Sequence, residues 1–191
     1  MAPNSKFQIP NSKQKGFTLI EAVVSSAVFA FVVVSVLGIY TVTIRLDSKT
    51  RAERAVQENA RFIMEYLAKL VRNGSIDYAS YPGQNANNTS TDLWVVNQAN
   101  ELEHIFLNGD NLSLTKSSST LLNSSGVRVT KLLFLASPSV NPLTSDKLAN
   151  QQPSLTVVLE LTSNFGEKLG DVSKLNIQST FSSREYPSRE P

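Results

Sequence analysis

The sequence predicts an α+β protein, with a long N-terminal α-helix packed on a C-terminal antiparallel β-sheet domain. The first half of that helix is expected to be membrane-embedded and the second half amphipathic. Three observations carry this reading. From Phe17 to Ile44 the chain is almost wholly apolar, and Glu21 is its single charge. Beyond Arg45 the apolar residues thin to one stripe at helical spacing. After Asn73 the pattern changes to period two, broken by turns rich in Asn, Gly, Ser and Pro.

Four segments follow: a leader at 1–16, an apolar half-helix at 17–44, an amphipathic half-helix at 45–73 and a β-rich domain at 74–191. The leader carries Lys6, Lys13 and Lys15 with no acid, contains Pro3 and Pro10, and lacks apolar periodicity. It is an address rather than part of the fold. The next segment is long enough to span a bilayer, since about 20 apolar residues make a helix of about 30 Å. Ala22, Ser26 and Ala30 recur every four residues, a small-residue stripe that would let another helix approach closely; such residues are also common in membrane helices generally. A carboxylate such as Glu21 costs on the order of a few kcal/mol in hydrocarbon unless something pairs with it.

The run Lys15-Gly16-Phe17-Thr18-Leu19-Ile20-Glu21, behind a short basic leader and ahead of a long apolar helix, resembles the N-terminal signature of type IV pilins and pseudopilins. The resemblance implies that a prepilin peptidase cuts between Gly16 and Phe17 and methylates the new Phe17 amine. It also implies that Glu21 pairs with the Phe17 amine of a neighbouring subunit during assembly. An amine and a carboxylate in hydrocarbon lower each other's burial cost only if they meet. Phe17 and Glu21 are four apart, so on the sequence alone they could also meet within one helix. The partners implied are other pilin or pseudopilin subunits, prepilin peptidase, an inner-membrane assembly platform and membrane lipid. The implied location is the inner membrane, single pass with the N-terminus cytoplasmic, and an extracytoplasmic filament after processing. An uncleaved signal anchor would normally avoid Glu21. A secretory cleavage site at Val28-Phe29-Ala30 is disfavoured because the apolar run continues to Tyr40. Gly38 stands where many pilins carry a helix-breaking proline, with Ser35 nearby.

Beyond Arg45, Ala52, Val56, Ile63, Leu67 and Leu70 form the apolar stripe, which Phe62, Tyr66 and Val71 widen. Arg54–Glu58, Arg61–Glu65 and Glu65–Lys69 are i,i+4 pairs for the wet side. Asn73-Gly74 supplies a stop. The stripe suits packing on a sheet; a coiled-coil dimer is the competing reading. The helix from Glu58 to Arg72 and the run from Gln178 to Arg184 resemble J-type pseudopilins of type II secretion and W-type minor pilins.

Ala79–Thr91 is a polar loop, and Leu93–Val96 a short strand. Leu102–Leu107 and Leu112–Thr115 flank Asn108-Gly109-Asp110-Asn111, a hairpin signal. Val127–Leu135 is a mostly apolar strand, and Ser137–Pro153 a second polar loop. Leu155, Val157, Leu159 and Leu161 alternate with Thr156, Val158, Glu160 and Thr162. Leu175, Ile177, Ser179 and Phe181 alternate in the same way with polar neighbours, so each strand has one buried and one wet face. The tail from Arg184 has no core pattern.

Composition narrows the function. The chain has 18 basic and 16 acidic residues; without the three leader lysines it carries a net charge of −1 before the new amine is counted. Near-neutrality gives little support for nucleic acid as a partner through bulk charge. There is no cysteine, hence no thiol chemistry and no disulfide. His104 is the single histidine and reads as a core or edge residue rather than a catalytic one. No Ser-His-acid constellation, phosphate loop, cofactor motif or metal-ligand spacing emerges. Asp110, Asp146 and Asp171 sit in turns, where such side chains make local backbone bonds. Lys116, Arg128, Lys131, Lys147, Lys168 and Lys174 are scattered among acids. The reading is therefore a non-enzymatic filament subunit, a minor pilin or pseudopilin. The alternative is a single-span, membrane-anchored binding or adhesion module that does not polymerise.

Overall fold

Helix α1 runs from Leu19 to Asn73, 55 residues, in a computed structural model that describes residues 16–142, 151–164 and 172–184. The leader up to Lys15, Asp146, Lys147, Lys168, Asp171 and the tail beyond Arg184 lie outside the described residues. The chain divides into two compact units, the first ending at Ile44 and the second beginning at Arg45.

In the first unit α1 is long and apolar enough to cross a membrane, and its described residues are all exposed in the isolated chain. Four of its hydroxyls return to the backbone of the preceding turn. Ser35 and Thr43 donate to the carbonyls of Phe31 and Ile39, while Ser26 and Thr41 donate to those of Val23 and Gly38. Within hydrocarbon this return to the backbone is what a hydroxyl requires. A Cβ at Gly38 would meet nothing within 4 Å, so no packing inside the chain demands glycine there.

In the second unit Ala52, Val56, Ala60, Ile63, Leu67, Leu70 and Val71 are buried. Their steps of three and four keep them on one face. Phe62 departs from expectation: it is 53% exposed, at the stripe's margin, stacked on Tyr66 with ring centroids 6.4 Å apart. The side toward Ala60 and Val56 takes the core instead. Of the expected ion pairs Arg61–Glu65 forms at 2.7 Å. This engages Glu65, and the structure gives neither Glu65–Lys69 nor Arg54–Glu58. Arg51–Asp47, at 2.8 Å, is an additional exposed pair.

The strands form two antiparallel sheets rather than one. The first, in order β1-β2-β3-β4-β5, comprises Ser75–Ile76, Asp92–Val96, Leu102–Asn108, Asn111–Thr115 and Ser119–Leu121. The second, β6-β7-β8, comprises Val127–Ser137, Ser154–Ser163 and Lys174–Ser182. The β3–β4 hairpin closes at Asn108↔Asn111, with Gly109 at φ 60° as the turn requires. Strand β6 does not keep strict alternation. A register shift between Val129 and Lys131 puts two exposed residues, Thr130 and Lys131, side by side, and then returns Leu132, Phe134 and Ala136 to the core. The α1 stripe, Leu93, Val95, Ile105 and Leu112 of the first sheet and Phe134, Leu155, Leu159 and Leu161 of the second share one hydrophobic cluster. Each such side chain contributes about 1.5–3 kcal/mol. The stripe is thus covered by the chain's own sheets, which removes the need for a coiled-coil partner.

The loop expected at Ala79–Thr91 holds two 3-10 turns, Tyr78–Ser80 and Pro82–Gln84. It is anchored rather than free. Tyr78 and Tyr81 are buried, and burial pushes each phenol up to about 12. Asn87 completes a strand-like pair with Ala136 of β6: its amide donates to the Ala136 carbonyl at 3.2 Å, and its carbonyl accepts from the Ala136 N–H at 2.9 Å.

Candidate assembly site

Gly16 and Phe17 precede α1 in non-helical backbone, and both are exposed. Thr18 starts the helix. Its carbonyl accepts from Ala22 N at 3.1 Å, and its hydroxyl accepts from Glu21 N at 3.3 Å. Thr18 is therefore an N-cap and Glu21 the third helical residue, the spacing of a capping box. Thr-x-x-Glu was present in the sequence as a helix-start signal, and Thr18 is the site residue that reading passed over. Glu21 lies in the first turn, where the helix's partial positive charge favours a carboxylate. Two demands thus meet at Glu21: it sits at the positive end of its own helix, and it is the only acid at the head of an apolar span. Ala22, Ser26 and Ala30 continue along α1, all exposed in the isolated chain.

Residues 11–37 match the model of the prokaryotic N-terminal methylation motif. The chain carries the type IV pilin-type prepilin signature. The match spans the end of the leader, the Gly16-Phe17 junction, Glu21 and most of the apolar run. It supports a pilin-like protein processed by a prepilin peptidase, and with the apolar helix it fits anchoring in the inner membrane. No curated protein and no solved structure matches the chain.

In the globular unit of this pilin-like chain several ionisable residues pair within the fold. His104 Nε2 lies 3.0 Å from Asp92 Oδ1. The imidazole is stacked between Trp94, at 4.4 Å, and Phe106, at 4.6 Å, on the outer face of β2 and β3. Tyr81 meets Trp94 edge-on at 4.6 Å. The histidine sits on the central strand β3, paired with Trp94 and Thr115, in an aromatic row on the outer face rather than in the core or at an edge. Asp110 receives the Val129 N–H on its carbonyl at 2.8 Å, so its turn ties the two sheets together. Lys116, Arg128 and Lys174 pair with Glu103, Asp110 and Glu160 respectively. The Glu160 carboxyl is held low chiefly by the hydrogen bond from Lys174 and then by that from Thr130. No group of three or more His, Asp or Glu suited to a metal occurs among the described residues.

The buried acid of the unit was not anticipated. Glu103 shares the inner face of β3 with Ile105 and is 2% exposed. Its carboxylate accepts from Lys116 Nζ at 2.6 Å, from Tyr66 Oη at 2.7 Å and from Asn97 Nδ2 at 2.9 Å. Burial alone would raise its pKa, but the bonds from Lys116, Tyr66 and Asn97 together outweigh that and hold it below the usual carboxylate range. Period-two spacing placed an acid on the buried face of β3; its partners come from α1, the β2–β3 turn and the end of β4, which local spacing does not reveal.

Proposed function

We infer that this protein is a minor pilin or pseudopilin, a structural subunit of a type IV pilus or a type II secretion-like filament. The observation that carries the reading is Glu21, the single charge between Phe17 and Ile44, at the head of that apolar run and inside the matched motif. The leader through Gly16 is removed, Phe17 becomes the methylated N-terminus, and α1 up to Ile44 is retained as the filament core. There the Glu21 carboxylate meets the Phe17 amine of a neighbouring subunit, which lowers the cost of holding both in hydrocarbon. The stripe of Ala22, Ser26 and Ala30 gives the adjoining helix room for close approach. The second half of α1 and the two sheets form the extracytoplasmic body. The work is assembly, not catalysis, on an inner-membrane platform with other pilin-like subunits.

Mass spectrometry of the chain expressed together with a prepilin peptidase tests this. The expected product begins at N-methylated Phe17. An intact Met1 terminus in cells with active peptidase identifies instead an uncleaved, single-span anchored module and overturns the reading.

A further inference from the structure

We propose that the cleft beside the C-terminal end of α1 binds a small hydrophilic anion, a carboxylate- or phosphate-bearing group. The cleft has a volume of about 380 Å³ between the helix end, the β2–β3 turn and Arg184, the second residue past β8. Arg72 and Asn73 supply one wall, Gln98 and Asn100 a second, and Arg184 the third. An adjoining hollow of about 330 Å³ shares Asn73 and Gln98 and adds Lys69.

Charge decides the class of ligand. Among the described residues Lys69, Arg72 and Arg184 make no ion pair with a carboxylate. The acid that lines either hollow is Glu103, closed to solvent and already engaged by Lys116, Tyr66 and Asn97. The other charged side chains among the described residues lining the two hollows, Lys69, Arg72, Lys116 and Arg184, are cationic, while Glu101, on the adjoining turn, accepts from Asn97 at 3.2 Å. Two guanidinium groups offer paired N–H donors whose fork matches a carboxylate or phosphate. The side chains of Asn73, Gln98 and Asn100 make no hydrogen bond among the described residues, and so remain available to a polar ligand.

The frame is fixed before any ligand arrives. Asn97 Oδ1 accepts from the N–H groups of Ala99 and Glu101 at 2.9 and 3.0 Å, and its amide group reaches Glu103, so the β2–β3 turn is braced from within. Asn100 stands in the left-handed region at φ 61°. Ser183 donates to the Gly74 carbonyl at 3.3 Å, which sets Arg184 beside the helix end. Cations in a last helical turn also offset the partial negative charge of that helix end. That accounts for Arg72, but not for Arg184, Gln98 and Asn100, which belong to other elements. This inference does not depend on filament assembly.

The test uses the full chain, ¹⁵N-labelled in a neutral detergent and titrated at constant ionic strength with sodium phosphate and, separately, sodium galacturonate. Saturable shifts of the Ser75, Gln98 and Asn100 amides are expected with at least one probe; which probe acts identifies phosphate or carboxylate as the source. Arg72→Gln with Arg184→Gln should weaken binding tenfold or more, while Arg128→Gln leaves it unchanged. Arg184→Gln alone serves if the double variant does not fold. No saturable shift with either probe, shifts that survive the arginine substitutions, or equal weakening by Arg128→Gln would overturn the proposal.

Discussion

The Tyr66 hydroxyl donates a 2.7 Å hydrogen bond to Glu103 Oε2, joining the middle of the amphipathic half of α1 to the inner face of β3. A carboxylate this deeply buried is stable only while its oxygens are occupied. Tyr66→Phe keeps the ring and removes one donor. The expected loss is about 1–2 kcal/mol, the cost of leaving one acceptor of a buried charged group short. Denaturant unfolding of the full chain in neutral detergent, followed by Trp94 fluorescence, reads it. An unchanged midpoint would show that the hydroxyl carries no load.

The same carboxyl sets an acid limit. Its folded-state pKa is lowered, whereas an unfolded glutamate titrates near 4.3. The stabilisation it gives is therefore complete above about pH 4.3 and is lost as pH falls through the lower, folded value. Glu103→Gln should reduce stability at neutral pH and flatten the acid limb, because the proton-linked part has been removed. Thermal unfolding of both proteins between pH 7 and pH 3 checks this. Parallel curves would assign the acid limb to other groups.

Gly74 ends α1 by close approach. A Cβ there would lie 2.4 Å from the Val96 carbonyl oxygen and 2.9 Å from that of Leu70. These are backbone atoms, and they cannot swing aside. Gly74→Ala should cost about 1–3 kcal/mol through a forced shift of β1 against β2, lowering Tm by roughly 3–10 °C. A Tm within 1 °C of the parent would mean that the backbone gives way freely.

Much of this fold was legible because its information is local. Leu155 to Leu161 alternate without a break, and β7 buries all four. Asn108-Gly109 announces the β3–β4 turn, and the prepilin signature is a contiguous run. What stayed hidden depends on contacts distant in sequence. The bulge at Thr130–Lys131 shifts the phase of β6 inside a run of apolar residues, so Leu133 and Leu135 look as buried as Phe134. The partition into two sheets lies in which strands pair, β2 to β4 with one another and β6 to β8 with one another, a choice no local period records, and β1 and β5, of two and three residues, are too short to set a period at all. Lys116 reads as a scattered base until the fold brings it to Glu103. Phe62 misled because size suggests burial, whereas its angle around α1 decides it.

Asn123 holds a junction that no local pattern reveals. At 5% exposure, its Oδ1 accepts from Leu112 N at 2.7 Å and its amide donates to the Val127 carbonyl at 2.7 Å, linking β4 to the start of β6. Asn123→Leu has similar bulk but strands two buried backbone groups at about 1–3 kcal/mol each. A loss of about 2–4 kcal/mol is expected in chemical denaturation. A loss below 0.5 kcal/mol would mean that both groups find other partners.

Glu21 has two roles open to it, and Thr18 separates them. If the residue matters through the N-terminal cap, removing the Thr18 hydroxyl, which takes the Glu21 N–H, should hurt about as much as removing the carboxylate, which in a capping box takes the Thr18 N–H. A lost cap costs about 0.5–2 kcal/mol and leaves the charge in place. If Glu21 instead answers an amine on a neighbouring chain, its loss leaves that amine unpaired in hydrocarbon, and capping cannot compensate. Thr18→Ala should then reduce incorporation into sheared filaments only modestly, while Glu21→Ala abolishes it and both precursors are still cleaved after Gly16. Glu21→Gln, which keeps a hydrogen-bonding side chain but no charge, should resemble Glu21→Ala. Immunoblots of the filament fraction beside the membrane fraction give the comparison. Equal defects in Thr18→Ala and Glu21→Ala would place the carboxylate in service of its own helix.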